Sequence, residues 1–240
     1  MQFIIHHLSF IIHHYLIMQL DINENLERYE MSLSDWESLL MSGWDRVGSY
    51  FFHRRFDLFQ TLFEDAVIAY ELMPLRYNLE GFSFSKSQRI IQKRNADLTR
   101  IYRLAVIDEE KLKLFDEWYF GRFYMEGSIF TWVSGTQTPF PTYEVSLYKR
   151  DKLIACSFFD VTPSVQYSTL AMYDPNEKHR SLGTYTMISE VEHALNHHKT
   201  HHYPGHAYAQ KSLYDYKKRF NNLECFDWEK SNWKSISRIV

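Results

Sequence analysis

Residues 172–184 read Met172-Tyr173-Asp174-Pro175-Asn176-Glu177-Lys178-His179-Arg180-Ser181-Leu182-Gly183-Thr184, a turn that separates an apolar run from a helix pattern. Proline has no N–H for a strand ladder and Asx side chains favour turns, so the extended run ends at Asp174-Pro175. After the turn Leu182, Tyr185, Met187, Ile188, Val191 and Leu195 recur at the spacing of one helix face, which predicts a helix over 181–198 with Ser181 as its cap. The first N–H groups of a helix have no partner inside it and favour anions, and Gly183 would let a ligand approach the backbone closely. Taken alone, Arg180-Ser181-Leu182-Gly183 is better explained by a capped helix start without a ligand.

Upstream of this turn lie three strand-like pieces, Tyr143–Tyr148, Leu153–Phe159 and Tyr167–Met172. A polar loop, Lys149-Arg150-Asp151-Lys152, joins the first two, and a turn containing Pro163 joins the second to the third. Three consecutive antiparallel strands feeding a helix predict a mixed α/β fold. Downstream, His202–Tyr208 reads as a further strand and Leu213–Phe220 as a short helix that leaves through Lys217-Lys218-Arg219.

Earlier in the chain, residues 109–126 predict an amphipathic helix with Leu112, Phe115, Trp118, Tyr119 and Phe123 turned to the core. Residues 84–103 hold a basic cluster, Lys86, Arg89, Lys93, Arg94, Arg100 and Arg103, against a single Asp97. A helix from Ser87 would set Arg89 and Lys93 on one face and turn Ile90, Ile91 and Leu98 inward. Such a stripe suits a phosphate backbone, although an unaided charge run is more often a solvated helix face. Met73–Leu79 reads as an edge strand because of Pro74. Ser34 and Glu37 have capping-box spacing for a helix that ends by Gly43, and Gly48–Phe52 turns into an aromatic strand.

The 240 residues suffice for one large domain or two small ones, and 45% hydrophobic with 17% aromatic residues excludes a disordered chain. A net charge of −3 gives no global cationic field, so any nucleic acid must bind a local patch. Two cysteines, Cys156 and Cys225, exclude a disulfide framework and a four-thiolate metal site, and point to a reducing cytoplasm. The first 20 residues are apolar and repeat FIIHH at 3–7 and 10–14, with His6, His7, His13 and His14. They lack a basic n-region and a cleavage site, so they fit neither an export signal nor a membrane span, and no membrane partner is expected. His193, His197 and His201 are spaced four apart, as zinc ligands on a helix would be, but Pro204 and the strand after it end the helix before His201. No metal site is expected.

Three motifs together resemble the aminoacyl-tRNA–protein transferases, the family of eukaryotic arginyltransferase and of the bacterial enzyme that places leucine on acidic N-termini. Ser85-Lys86-Ser87-Gln88-Arg89 and Lys93-Arg94-Asn95-Ala96-Asp97-Leu98 are similar to the family's basic S-R-S-Q-R…R-R-N-x-D-L block. Asp160, Pro163, Ser168, Tyr173-Asp174-Pro175 and Arg180-Ser181-Leu182-Gly183-Thr184 resemble its D-x-L-P…Y-x-F-F-D-P…R-S-L-G-T segment, and Tyr216-Lys217, Phe220 and Leu223-Glu224 its closing Y-K-x-x-F…L-E. A weaker match takes in Leu39-Leu40, Gly43-Trp44, Gly48 and Pro74-Leu75-Arg76, so the resemblance runs from about residue 36 to 228.

The resemblance implies a GNAT-like mixed sheet flanked by helices at 111–240 and a smaller N-terminal α/β subdomain at 21–110, after the 1–20 extension. It implies transfer of an amino acid, arginine first and leucine second, from aminoacyl-tRNA to the N-terminal α-amine of a protein or peptide. Arg180, Ser181 and Gly183 would hold the acceptor end, and Lys86, Arg89, Lys93, Arg94 and Lys217 other parts of the tRNA. Tyr173 and Asp174 are the catalytic candidates, Asp174 being either a receiver of the incoming ammonium or a turn former. Glu144, Tyr208 and Tyr216 are the substrate-binding candidates, although Glu144 has an alternative partner in Arg150 across the hairpin. Where the family has a cysteine cluster that holds a metal or iron–sulfur centre, this chain reads Ile68-Ala69-Tyr70-Glu71-Leu72-Met73, so no such cofactor is expected. The family's G-Y-W is here Gly205-His206-Ala207, and its R-K-M is Ser212-Leu213-Tyr214. Two other readings stand beside the transferase reading: an inactive adaptor that binds tRNA or acidic N-termini, and a GNAT-like acyltransferase with another donor, against which the basic block argues.

Overall fold

The structure is a computed structural model that describes residues 23–60, 67–133 and 138–237. The histidine-rich opening and its FIIHH echo lie outside the described residues. The chain begins with β1 (Asn23–Glu27), α1 (Leu33–Met41), β2 (Asp45–Val47) and β3 (Tyr50–Arg54), in which the three strands form a small antiparallel sheet in the order β1-β3-β2. α1 is capped by Ser32, whose Oγ accepts from the Asp35 amide at 3.1 Å, rather than by Ser34. Trp36 and Leu40 of α1 are fully buried with Phe51 against Val165, Tyr167 and Tyr203, which fastens this layer to the large sheet.

β4 (Phe56–Gln60) and β5 (Val67–Asn78) are antiparallel, and β5 then runs on into the large sheet between two later strands. Pro74 therefore lies in an interior strand and not at an edge. It is tolerated because it falls between the ladder with β4, which ends at Glu71, and the next ladder on that side, which begins at Leu75. α2 (Lys86–Arg94) follows, with a capping box made by Ser85 and Gln88. Its inward residues are Gln88 and Ile91, while Ile90 is 48% exposed. The basic stretch does not continue as helix, because Arg100 and Arg103 belong to β6 (Thr99–Leu104).

α3 (Glu109–Phe123) buries Leu114, Phe115 and Trp118, whereas Leu112 faces outward. The meander follows as β7 (Thr142–Lys149), β8 (Lys152–Val161) and β9 (Val165–Tyr173), all antiparallel. Alternate residues of β8 serve opposite faces: Cys156 and Phe158 pack under α3, while Ala155 and Phe159 pack under α4 (Leu182–Asn196). Chain order then gives β10 (His201–Tyr208), a 3-10 turn at Asp215–Arg219, β11 (Leu223–Asp227) and β12 (Asn232–Ser235). The large sheet has the order β12-β11-β5-β10-β9-β8-β7-β6, with β4 on β5. It is mixed, since β10 runs parallel to β9 and antiparallel to β5, and helices cover it. Among the described residues no helix is long and apolar enough to cross a membrane.

Candidate active site

β9 and β10 pair only from Val165 to Tyr167 and from His201 to Tyr203. Beyond that point β10 carries a bulge between His202 and Gly205, and the two parallel strands part. The opening is a cavity of about 540 Å³, lined by residues 167–171 and Tyr173 of β9, by Gly205 and His206 of β10, and by Ser181 to Thr184 at the tip of α4. α3 contributes Trp118 and Arg122, the small sheet Asp45 to Val47, and the segment before and within the 3-10 turn Tyr214, Tyr216 and Lys217. Ordinary side-chain patterning makes this opening: the strands stay together where their neighbours are core residues and separate where a Pro204-Gly205 pair breaks the ladder.

The small sheet sets one wall. Arg46 is fully buried and grips Asp160 of β8 through Nε at 2.8 Å and Nη2 at 2.6 Å, while Nη1 donates to the Gly48 carbonyl at 2.6 Å. That bidentate ion pair fixes β2 across the end of the meander and delivers Asp45 to the cavity. Asp45 accepts from the Arg46 amide at 2.8 Å and from the Tyr167 hydroxyl, and its Oδ2 meets His206 Nδ1 at 2.5 Å. Burial raises the Asp45 carboxyl, but the His206 and Tyr167 bonds outweigh it and hold the group below the ordinary carboxylate value. The other ring nitrogen of His206 has no partner among the described residues. Gly205 has φ +78°, which L side chains rarely adopt, so the backbone turn and not crowding calls for glycine at this corner: a Cβ there would make only ordinary contacts, 3.6 Å from Lys217 Nζ and 3.7 Å from Asp45 Oδ2.

Lys217 donates to the His206 carbonyl at 3.0 Å and stands 4.9 Å from the centre of the Tyr214 ring. Burial pushes its ammonium down to about 8, against the opposing pull of Asp45 and Glu190. Arg122 also stands near Tyr214, 5.8 Å from the centre of that ring and 5.7 Å from the ring centres of both Trp118 and Phe123. Its Nη1 donates to the Tyr173 hydroxyl at 3.4 Å, and it meets no carboxylate among the described residues. An aromatic-caged guanidinium without a counter-ion, aimed into a cavity, is equipped to receive an anion.

Residues 94–227 match the family described as arginine-tRNA-protein transferase, C terminus. The chain belongs to that family. It is accordingly a transferase enzyme of the aminoacyl-tRNA–protein transferase group. Among curated relatives it is similar to the aspartate/glutamate leucyltransferase of Xanthomonas campestris pv. campestris (strain B100), 26% identical over 180 residues that span 68% of this chain and 69% of that protein. The enzyme of the same name from Campylobacter jejuni subsp. jejuni serotype O:23/36 (strain 81-176) is 25% identical over 166 residues, 64% of each chain. Among solved structures, the C-terminal domain of a putative lysylphosphatidylglycerol synthetase from Agrobacterium fabrum aligns with a TM-score of 0.45 at 18% identity, over 61% of this chain and 49% of that one.

The transferase cavity gathers Tyr173, Ser181, Gly183, Tyr216 and Lys217 from the residues singled out in the sequence. Gly183 lies so close to Tyr173 that a Cβ would come within 3.0 Å of the ring, which makes strand end and helix tip one surface. Ser181 is not the expected cap: its φ of +55° puts it in the left-handed region and its side chain accepts no helix amide. Lys217 lies in the cavity lining. Asp174 is outside the lining and both oxygens are engaged, Oδ1 by the Asn176 amide at 2.9 Å and Oδ2 by Lys152 at 2.7 Å. Arg180 is committed too, bidentate to Asp97 at 2.8 and 2.9 Å and bonded to Glu177 at 2.9 Å.

Lys86, Arg89, Lys93 and Arg94 lie along exposed α2, beside the cavity rather than in it. Arg94 bridges the two, donating to the His179 carbonyl at 2.6 Å and reaching Ser181 Oγ at 3.5 Å. Glu144 does not reach the cavity and does not meet Arg150; it is fully buried, with Arg103 at 2.8 Å and Lys111 at 3.2 Å. Tyr208 stands behind His206 with its hydroxyl on Asp57 at 2.7 Å. The residues at 68–73 lie in β5 and carry no thiol, and both cysteines are buried and unpaired, so they do not fit the family's iron–sulfur centre. No group of three or more metal-ligating side chains that could hold an ion occurs among the described residues, and His193 and His197 are stacked 4.0 Å apart.

Sequence reasoning missed Asp45, His206 and Arg122. His206 carried one signal, its place where the family has a tyrosine. Asp45 lies 161 residues away and carried none.

Proposed function

We propose that this transferase moves an amino acid from aminoacyl-tRNA to the N-terminal α-amine of a protein or peptide, with leucine ahead of arginine as donor and acidic N-termini as acceptors. The observation that carries this reading is the cavity where β9 and β10 part: it has an unpaired β9 edge, the tip of α4 and a cationic Arg122, and its carboxylates are already engaged. An arginyl side chain needs a free carboxylate, yet Asp45 is taken by His206 and Glu177 by Lys149 and Arg180. Leu170, Ala171, Leu182, Phe123 and Trp132 suit an apolar side chain instead. The relatives named aspartate/glutamate leucyltransferase support the same choice.

Aminolysis of an ester asks little of side chains: an activated carbonyl, a neutral amine and alignment. The β9 backbone beyond Tyr167 has β8 on one side only, and its free N–H and C=O groups suit an extended chain segment. Arg122 would pair with the acidic side chain of the acceptor. Exposed α2 would follow the tRNA backbone toward the α4 tip through Arg94. The antiparallel meander, the helix after β9 and the parallel β10 support a GNAT-like architecture as part of this reading.

Incubation with labelled Leu-tRNA and Arg-tRNA separately, with peptides beginning with Asp, Glu, Lys or oxidised Cys, tests it. Leucine transfer to Asp and Glu peptides is expected, and Arg122→Ala should raise KM for these acceptors about tenfold or more while leaving tRNA binding intact. Tight tRNA binding with no transfer to any peptide would leave the adaptor reading in its place.

A further inference from the structure

We infer that His206, oriented by Asp45, is the general base that takes the proton from the acceptor's α-ammonium, an inference that rests on the aminoacyl-transfer reading above. The peptide amine reaches the enzyme mostly as an ammonium and cannot attack until it loses a proton. The cavity supplies an acceptor for that proton. His206 lines it, with Nδ1 held by Asp45 Oδ2 at 2.5 Å, and that bond leaves Nε2 as the nitrogen open to substrate. Asp45 is itself immobilised by the Arg46 amide and the Tyr167 hydroxyl, and Arg46 by Asp160, so the ring is aimed through a chain of buried contacts. This is the orienting logic by which a carboxylate sets the tautomer of a catalytic imidazole and stabilises the imidazolium that forms.

The groups facing this ring come from several elements. Asp45 and Tyr167 stand on one side, Tyr208 and Tyr214 pack against the ring, and Lys217 holds the residue's own carbonyl. Arg54 lies beyond Phe52, and Arg122 beyond Tyr214. The other carboxylates of the cavity region do not compete for the role: Asp174 and Glu177 are each bound to lysine or arginine.

In the reacting complex His206 Nε2 takes one proton from the ammonium, and the neutral amine attacks the ester carbonyl carbon. The new C–N bond forms, the C–O bond to the ribose breaks, and the second nitrogen proton passes to the departing ribose oxygen. The imidazolium returns its proton to solvent, so one proton is released for each peptide bond made.

His206→Asn is the decisive variant, because its amide can still donate to Asp45 while the position of Nε2 is emptied. In the full chain, with the donor and acceptor pair that wild type uses, kcat should fall about 100-fold with charged-tRNA affinity unchanged. The acid limb that the wild-type kcat profile owes to His206 should be replaced by one that follows the acceptor amine's own ionisation. Asp45→Asn, which tests a positioning residue, should move the acid limb to lower pH. His206→Ala should regain activity with added imidazole in proportion to its concentration, a readout that a structural role would not produce. Wild-type transfer with an unchanged His206→Asn rate and pH profile overturns this inference alone. So does loss of the acid limb in Lys217→Met while His206→Asn keeps it. No transfer by wild type from either charged tRNA overturns the reading beneath it as well.

Discussion

Glu190 is fully buried on α4, its Oε1 accepting from Ser168 at 3.3 Å and its Oε2 without a bond, 3.5 Å from His202 Nε2. The short distance suggests an ion pair, yet burial pushes the carboxyl up to about 8 and the imidazole down to about 3, so at neutral pH the two meet uncharged. A carboxyl raised in the folded state above its ordinary 4.5 contributes fully below that pH, and its contribution is lost as pH rises toward 8. Glu190→Gln should therefore gain stability over wild type between pH 5 and 8, by at most about 1.4 kcal/mol per pH unit. Urea melts at the two pH values check this, and a constant difference between the proteins would contradict it. Asp174 has the opposite sign. Burial pushes it up, but Lys152 and the Asn176 amide pull it further down, so it stabilises above its ordinary 3.8 and the contribution is lost as pH falls below. Lys152 is largely exposed, so Asp174→Asn should cost only about 0.5–1 kcal/mol and reduce kcat far less than His206→Asn. A larger loss of kcat with unchanged melting would return Asp174 to the chemistry.

At the scale of elements, the tip of α4 is held in place rather than left free. Arg180 joins it to Asp97 and to the end of α2, and Asn95 Nδ2 donates to the Arg180 carbonyl at 2.9 Å. The tip cannot retreat from Tyr173, so bulk at Gly183 must displace the ring. A Cβ added there would stand 3.0 Å from the Tyr173 ring, which a small shift relieves, whereas a branched side chain needs more room. Gly183→Val should lower transfer about tenfold or more, and Gly183→Ala much less. Single-turnover rates on charged tRNA read this, and equal rates for the two variants would show that the Tyr173–Gly183 surface does not position substrate.

For the whole molecule, a net charge of −3 leaves α2 as a local basic face, on which Lys86 and Lys93 have no partner among the described residues. If these residues meet phosphates, replacing Lys86, Arg89 and Lys93 with alanine should reduce the slope of log K for charged tRNA against log salt by about 0.7–0.9 for each phosphate that is no longer neutralised. Titrations across a salt series measure it, and an unchanged slope would remove α2 from the footprint. The meander of β7 to β9, the turn at Asp174-Pro175 and the helix of α4 were legible in the amino-acid order, because each rests on periodicity and turn chemistry within a few residues. The pairing of charges was not. Glu144 lies opposite Arg103 only because β6 docks beside β7 in one register, and Pro74 is interior only because β10 pairs across it on one side while β4 and β11 pair with β5 before and after it on the other. By itself, the sequence determined the family, the β7 to β9 meander and the helices α1, α3 and α4, since these are local or motif-borne. Only the tertiary structure decided that Asp45 meets His206 across 161 residues while Asp174, Arg180 and Glu144 satisfy neighbours: a side chain's free hydrogen-bonding capacity depends on every group packed around it, and chain order does not encode that directly.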